Sequence, residues 1–283
     1  MQQCAPGGAA AGSGCAPSGS GSGSGLSSGS ASMIMLRALA LLLAQPGALG
    51  GFETALHDAA RSGDDSALEH QIAAGVPKAE LDRLKGGLTP LMMAAHAGHA
   101  KSAESLLRAG ASVDVVTKRG TSALMWAAEE GHGAVVRTLL KAGASASKQN
   151  KKGETALMGA SRGGHLEAAK ALLAGGAAAW QATESNATAL MYAAGMGHFE
   201  VVQALLEGGA SADSQDSMGG FALMAAAGGG HAATVRALLD GGATVDLVGG
   251  GMTALMYAAD KGQAEIVKAL LAGTKIGLKL RKI

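Results

Sequence analysis

The chain has 283 residues and a net charge of +1, with 23 Lys and Arg against 22 Asp and Glu, 45 Gly, two Cys, and few aromatic side chains (two Trp, two Tyr, three Phe). So few cysteines exclude a disulfide-stapled scaffold, and balanced charge with few stacking rings argues against a nucleic-acid partner. Abundant Gly without a Gly-X-Y period or high Pro excludes collagen, and no apolar run reaches the ~18 residues of a transmembrane span.

Residues 1–32 contain nine Gly and nine Ser and no Asp, Glu, Lys or Arg, and Gly19 to Gly25 alternates the two strictly. A segment with so little apolar bulk cannot offset its ordering entropy, so a disordered Gly/Ser/Ala-rich tail is predicted. Both cysteines, Cys4 and Cys15, fall in it. Residues 33–50 then read as a hydrophobic segment, with Arg37 before the apolar run Ala38 to Ala44 and small residues after it. That is a signal-peptide pattern, although it begins far from Met1 unless translation starts at Met33 or Met35. A lead-in helix covering the first folded unit, or an over-extended gene model, remains open. The compartment follows that choice, secretory with a signal peptide and cytoplasmic without one.

From residue 52 a repeat takes over. The strings TALHDAARSGD, TPLMMAAHAGH, SALMWAAEEGH, TALMGASRGGH, TALMYAAGMGH, FALMAAAGGGH and TALMYAADKGQ begin at residues 54, 89, 122, 155, 188, 221 and 253. A fixed period of about 33 residues over seven units marks a repeat architecture. Within a unit, the opening Thr is suited to cap a helix through its hydroxyl, and Pro90 stands at a first helical position that lacks no needed donor. Small apolar residues follow, centred on Ala-Ala, and let successive helices approach closely. A Gly such as Gly98, Gly131 or Gly197 then stops the helix. A second helix is predicted, in the fifth unit over Phe199 to Glu207, with Val201, Val202, Leu205 and Leu206 on its buried side. A Gly-Ala pair ends it.

These strings resemble the ankyrin repeat, whose signature is T-P-L-H-x-A in 33 residues. The resemblance covers residues 52–275 and implies an all-α fold, an ankyrin-repeat solenoid of paired antiparallel helices with projecting turns. The family's His survives only as His57; Met92, Met125, Met158, Met191, Met224 and Met256 replace it. Met fills the space but donates no hydrogen bond, so less tightly held turns are expected. The end units differ from the inner ones, as caps must. The first carries Asp58, Arg61, Asp64, Asp65, Glu69 and His70, and the last has Gln263 in place of His and a basic, partly apolar tail over 276–283.

Chemistry-bearing patterns are few. His99, His132, His165, His198 and His231 form a ladder at 33-residue spacing. Helices pack roughly 8–10 Å apart, too far for equivalent histidines to share one zinc ion, so turn histidines bonding neighbouring backbone are expected. Trp126, Tyr192 and Tyr257 follow repeat methionines and read as core. No nucleophile elbow, zinc helix or phosphate loop is present, so no enzyme activity, metal or cofactor is predicted. Asn186-Ala187-Thr188 is a glycosylation sequon, but Asn186 stands where preceding units have Gly, which points to a left-handed turn.

By resemblance, partners are bound through fingertips and first helices. The register assigns Lys118, Arg119, Lys151, Lys152, Glu184, Ser185, Ser217 and Met218 to fingertips. It assigns His96, Glu129, Glu130, Arg162, Met196, Asp260 and Lys261 to first helices. Lys118, Arg119, Lys148, Lys151 and Lys152 are expected to form a basic patch suited to an acidic partner. The Gly-rich later tips are expected to be floppy. The implied function is a monomeric, non-catalytic scaffold binding a partner protein through its concave face. The alternative is a recruiting or regulatory region of a larger enzyme or channel.

Overall fold

The computed structural model describes the backbone of residues 49–280 and the side chains of residues 55–273. The tail with Cys4 and Cys15, the apolar segment up to Ala48 and residues 281–283 lie outside the described residues.

Seven helix pairs follow one another among the described residues. They are α1 (Leu49–Ser62) with α2 (Asp65–Ala73), and, after a short helix α3 (Lys78–Leu81), α4 (Pro90–Ala97) with α5 (Ala100–Arg108). Next come α6 (Ala123–Glu129) with α7 (Gly133–Lys141), α8 (Ala156–Gly163) with α9 (Leu166–Ala174), and α10 (Ala189–Met196) with α11 (Phe199–Glu207). The last are α12 (Ala222–Gly229) with α13 (Ala232–Asp240) and, after strands β1 (Val248–Gly249) and β2 (Met252–Thr253), α14 (Ala254–Asp260) with α15 (Ala264–Leu280). From α4 onward, each first helix packs on its own second helix and on the next first helix, and the second helices form a row of their own.

The capping chemistry predicted for each unit is present. Thr89, Ser122, Thr155, Thr188 and Thr253 each accept a bond from the backbone N–H three residues on, at 3.2–3.4 Å. Phe221 takes this position in the sixth unit and is buried instead. The core is one continuous layer. Leu91, Leu124, Leu157, Leu190 and Leu223 from first helices, and Leu106, Leu139, Leu172, Leu205 and Leu238 from second helices, are each at most 1% exposed. Burying each such side chain contributes about 2 kcal/mol, and it is the neighbouring unit that completes the burial. The Ala-Ala pairs, such as Ala94-Ala95 and Ala193-Ala194, have no exposed surface, which allows the first helices to lie close together.

The histidine ladder ties the units together. Nε2 of His99, His132, His165, His198 and His231 reaches the carbonyls of Arg61, His96, Glu129, Arg162 and Gly195 at 3.0–3.1 Å. A carbonyl only accepts, so each Nε2 carries the proton. Every bond runs to the end of the preceding first helix. The ring lies over the glycine that stops that helix. At Gly98 (φ 82°), a Cβ would sit 2.7 Å from Cε1 of His132. Glycine there answers two demands, a left-handed turn and room for the next unit's imidazole.

Several expectations are corrected. With Met in place of the family's His, four fingers close on a side chain of their own. Thr117, Asn150, Thr183 and Asp216 accept from the N–H four residues on, at 2.7–3.1 Å. Met92, Met125, Met158 and Met191 are buried, but Met256 is 56% exposed because no described unit follows to cover it. The Gly-rich last finger is a defined hairpin. Gly250 and Gly251 have φ of 58° and 83° in the two-residue turn between β1 and β2, as a type I′ turn requires. The last helix, α15, runs past Gly273 to Leu280. Asn186 has φ 61° and takes the left-handed turn expected of it.

Replacing Gly110 with Ala, at φ 97° with open space around it, is expected to cost about 1–2 kcal/mol. Gly98→Ala is expected to cost at least about 1 kcal/mol more, because the His132 ring must leave and its bond to the His96 carbonyl is lost. Urea midpoints followed by circular dichroism check the difference, and equal losses would contradict the role given to the histidine.

Candidate functional site

The sequence of each unit brings two surfaces to one side of the stack, the fingertips and the exposed positions of the first helices. Neighbouring fingers are joined by backbone bonds. Lys151 N–H donates to the Arg119 carbonyl at 3.0 Å, Glu184 N–H to Lys152 at 3.3 Å, and Ser217 N–H to Ser185 at 2.9 Å. These bonds set the tips side by side whatever their side chains are. Lys118, Arg119, Lys151 and Lys152 are all exposed on two tips joined in this way. None of the four forms an ion pair among the described residues. Lys148 does not belong with them, because its Nζ donates to the Asp114 carbonyl at 2.8 Å and acts as a strut beneath the tips. Glu184 and Ser185 are exposed on the next finger.

On the first helices, the residue seven places after each cap meets the residue four places after the next cap. His96 meets Trp126 edge to face, with centroids 5.1 Å apart, and its Nε2 lies 3.7 Å from Glu130. Arg162 lies 5.7 Å over the Tyr192 ring. Its guanidinium also reaches Glu129 at 3.1 Å and Glu154 at 3.3 Å. Thus Glu129 and Arg162, assigned by register as separate contact positions, are partners of one another. Met196 is 56% exposed. Asp260 at the end of α14 and Lys261 just after it are exposed, and Lys261 lies 5.8 Å over the Tyr257 ring. Trp126, Tyr192 and Tyr257 are not full core. They are half-buried, because this register position looks along the surface toward the preceding helix.

Glu154 and Tyr192 complete the arginine cluster and were not legible as site residues. Glu154 precedes the cap of the helix that carries Arg162 and lies eight residues from it, whereas Tyr192 belongs to the following unit, so its approach to Arg162 depends on the spacing between stacked units. The hydrogen bond from Asn150 is the main cause holding the Glu154 carboxyl below its ordinary value of 4.5; burial opposes it, and Arg162 and Lys152 reinforce it. The cluster holds a cation between two carboxylates and a ring. It offers no nucleophile paired with a base. Among the described residues, no group of three His, Cys, Asp or Glu side chains is placed to hold a metal ion, and no helix is long and apolar enough to cross a membrane.

The sequence profile described as ankyrin repeats in three copies matches residues 56–150, 139–216 and 208–279. The chain therefore belongs to the ankyrin-repeat family. The crystal structure of the human ASB11 ankyrin repeat domain is similar, with 31% sequence identity and a TM-score of 0.69 over 77% of this chain and 96% of that one. No curated protein sequence matches the chain. Ankyrin repeats generally mediate protein–protein interaction.

Because the folded pKa of Glu154 is lowered, its contribution to stability is present above the unfolded value near 4.5 and is lost as pH falls through the folded value. Glu154→Gln is therefore expected to lie closest to the wild type in stability at low pH and furthest from it above about pH 5. Arg162→Met should raise the Glu154 midpoint only part of the way, since the Asn150 bond remains. A carboxyl-carbon NMR titration checks both.

Proposed function

We propose that the protein is a non-catalytic interaction scaffold that binds a partner protein through its fingertips and the concave face of its first helices. The observation that carries this reading is the pair of backbone-joined tips bearing Lys118, Arg119, Lys151 and Lys152, four exposed cations without an ion-pair partner among the described residues. Lys152 is partly compensated by Glu154, but no carboxylate among the described residues lies within ion-pair distance of any of the four, and an acidic surface would supply one. Glu129, Glu130, Arg162, Met196, Asp260 and Lys261 extend the binding surface along the first helices, with Glu184 and Ser185 on the third tip. Because Arg162 is already held by Glu129 and Glu154, it serves as a fixed feature of that surface. The isolated cations on the tips are free to reorganise toward a partner.

Changing Lys118, Arg119, Lys151 and Lys152 together to Glu should reduce recovery of partner proteins from a cell extract by about tenfold or more, with the fold intact by circular dichroism. The wild-type interaction should weaken as salt rises, since exposed charges are screened over about 8–10 Å. Unchanged recovery would reject the role of the patch.

A further inference from the structure

The concave face changes character along the stack. In the fourth and fifth units the chain fills it with its own cation. Arg162 lies over Tyr192 and is held by Glu154 and Glu129. Two units on, the register places Gly228 at the position of Arg162 and Tyr257 at the position of Tyr192. A cavity of about 300 Å³ opens there, with Met191, Phe221, Met224, Gly228 and Tyr257 forming an apolar lining and Asp216 as its one charged residue. The ring survives and a carboxylate is retained, but the arginine is missing.

The charge of Asp216 is not needed by its own turn. Its Oδ1 accepts from the N–H groups of Met218 and Gly220 at 2.9 and 2.7 Å. Asn150, at the same place two fingers earlier, makes the same two bonds at 2.9 Å with a neutral amide. Thr117 holds the finger before Asn150 and Thr183 the one after it, so of these four fingers only this one uses a charged residue. The second oxygen, Oδ2, lies 2.8 Å from where a Cβ on Gly220 would be, in space that Glu154 fills in the earlier finger. It has no hydrogen-bond partner among the described residues. Lys261 already lies 5.8 Å over the Tyr257 ring, so a second cation is directed to Asp216 and away from that ring.

We infer that this cavity takes a lysine or arginine side chain of a partner protein, its aliphatic stem along Met191, Met224 and Tyr257 and its cationic head on Asp216. The partner supplies the cation that Arg162 supplies internally two units before. A long stem with a charged tip matches a pocket that is apolar along its length and carries a single carboxylate. The inference rests on the protein-binding reading above and specifies one contact within it, two to three units further along the stack than the basic tips. An acidic region meeting those tips and a basic side chain meeting Asp216 would together fix the direction in which a partner lies.

Two substitutions test it with the fold preserved by precedent within the chain. Asp216→Asn reproduces Asn150, and Ala225→Tyr reproduces the aromatic that Tyr192 and Tyr257 carry at the same register, which would fill the cavity. Random twelve-residue peptides displayed on phage are selected on the full wild-type chain, and the enriched peptides are then measured on each variant. The expected result is a pool with Lys or Arg recurring at one position, whose members bind Asp216→Asn about tenfold or more weakly and are excluded by Ala225→Tyr. A pool without a recurring cation, or one that binds both variants as tightly as the wild type, overturns this inference and leaves the fingertip reading standing. A wild-type chain that enriches no peptide at all overturns both.

Discussion

A helix of seven or eight residues paired with one of nine cannot cover its own apolar side, and everything else in this protein follows from having to cover it with the next pair. The central contact is the approach of one first helix to the following one across Ala-Ala surfaces that are fully buried. That approach is close enough for the imidazole at the start of each second helix to reach back over the preceding unit's terminal glycine and bond a carbonyl there. The bond satisfies a helix-end acceptor that would otherwise be orphaned and sets the offset of one unit on the next. Stability in such a stack is a sum over units and their interfaces, so a change at one glycine acts through two units at once.

Because the interfaces are made by buried Leu and Ala and by half-buried His, the projecting tips are relieved of structural duty. Their backbones are tied to each other by N–H to carbonyl bonds that any side chain permits. Four tips are closed by their own Thr, Asn or Asp. This is why cations can accumulate on two tips while another is a hairpin of glycines: the tip residues are not asked to hold the fold.

The first-helix face is constrained differently, since the residue seven places after one cap meets the residue four places after the next. Large meets large at His96 with Trp126 and at Arg162 with Tyr192. Small meets small at Gly195 with Ala225. Gly228 leaves room for Tyr257, whose ring would collide with any Cβ placed there. The relief of the face is therefore a property of pairs of units. Beside Ala225, where Gly228 meets Tyr257, a hollow results, and its electrostatic character depends on Asp216, the finger residue that leans over it.

The repeat period, the helix caps, the helix stops and the second helix from Phe199 to Glu207 could all be read from the amino-acid order, because each rests on interactions within a few residues. The bonding of the ladder histidines to neighbouring backbone could be read too, since unit spacing forbids their convergence. The partnership of Arg162 with Glu129, Glu154 and Tyr192 could not, nor could the withdrawal of Lys148 beneath the tips. The contacts of Arg162 with Glu129 and Tyr192 and of Lys148 with Asp114 join residues of different units, and their distances are set only once the stack fixes the offset between units; the contact with Glu154 crosses one helix from its approach to its last turn. The glycine excess divides along the same line. Glycines at helix ends were legible as punctuation, whereas Gly228 and Gly249 are small because Tyr257 and the Gly219 carbonyl come to lie against them. Sequence alone determined the unit and its repetition. Only the packing of units decided which surface residues are spent on each other and which remain free to meet a partner.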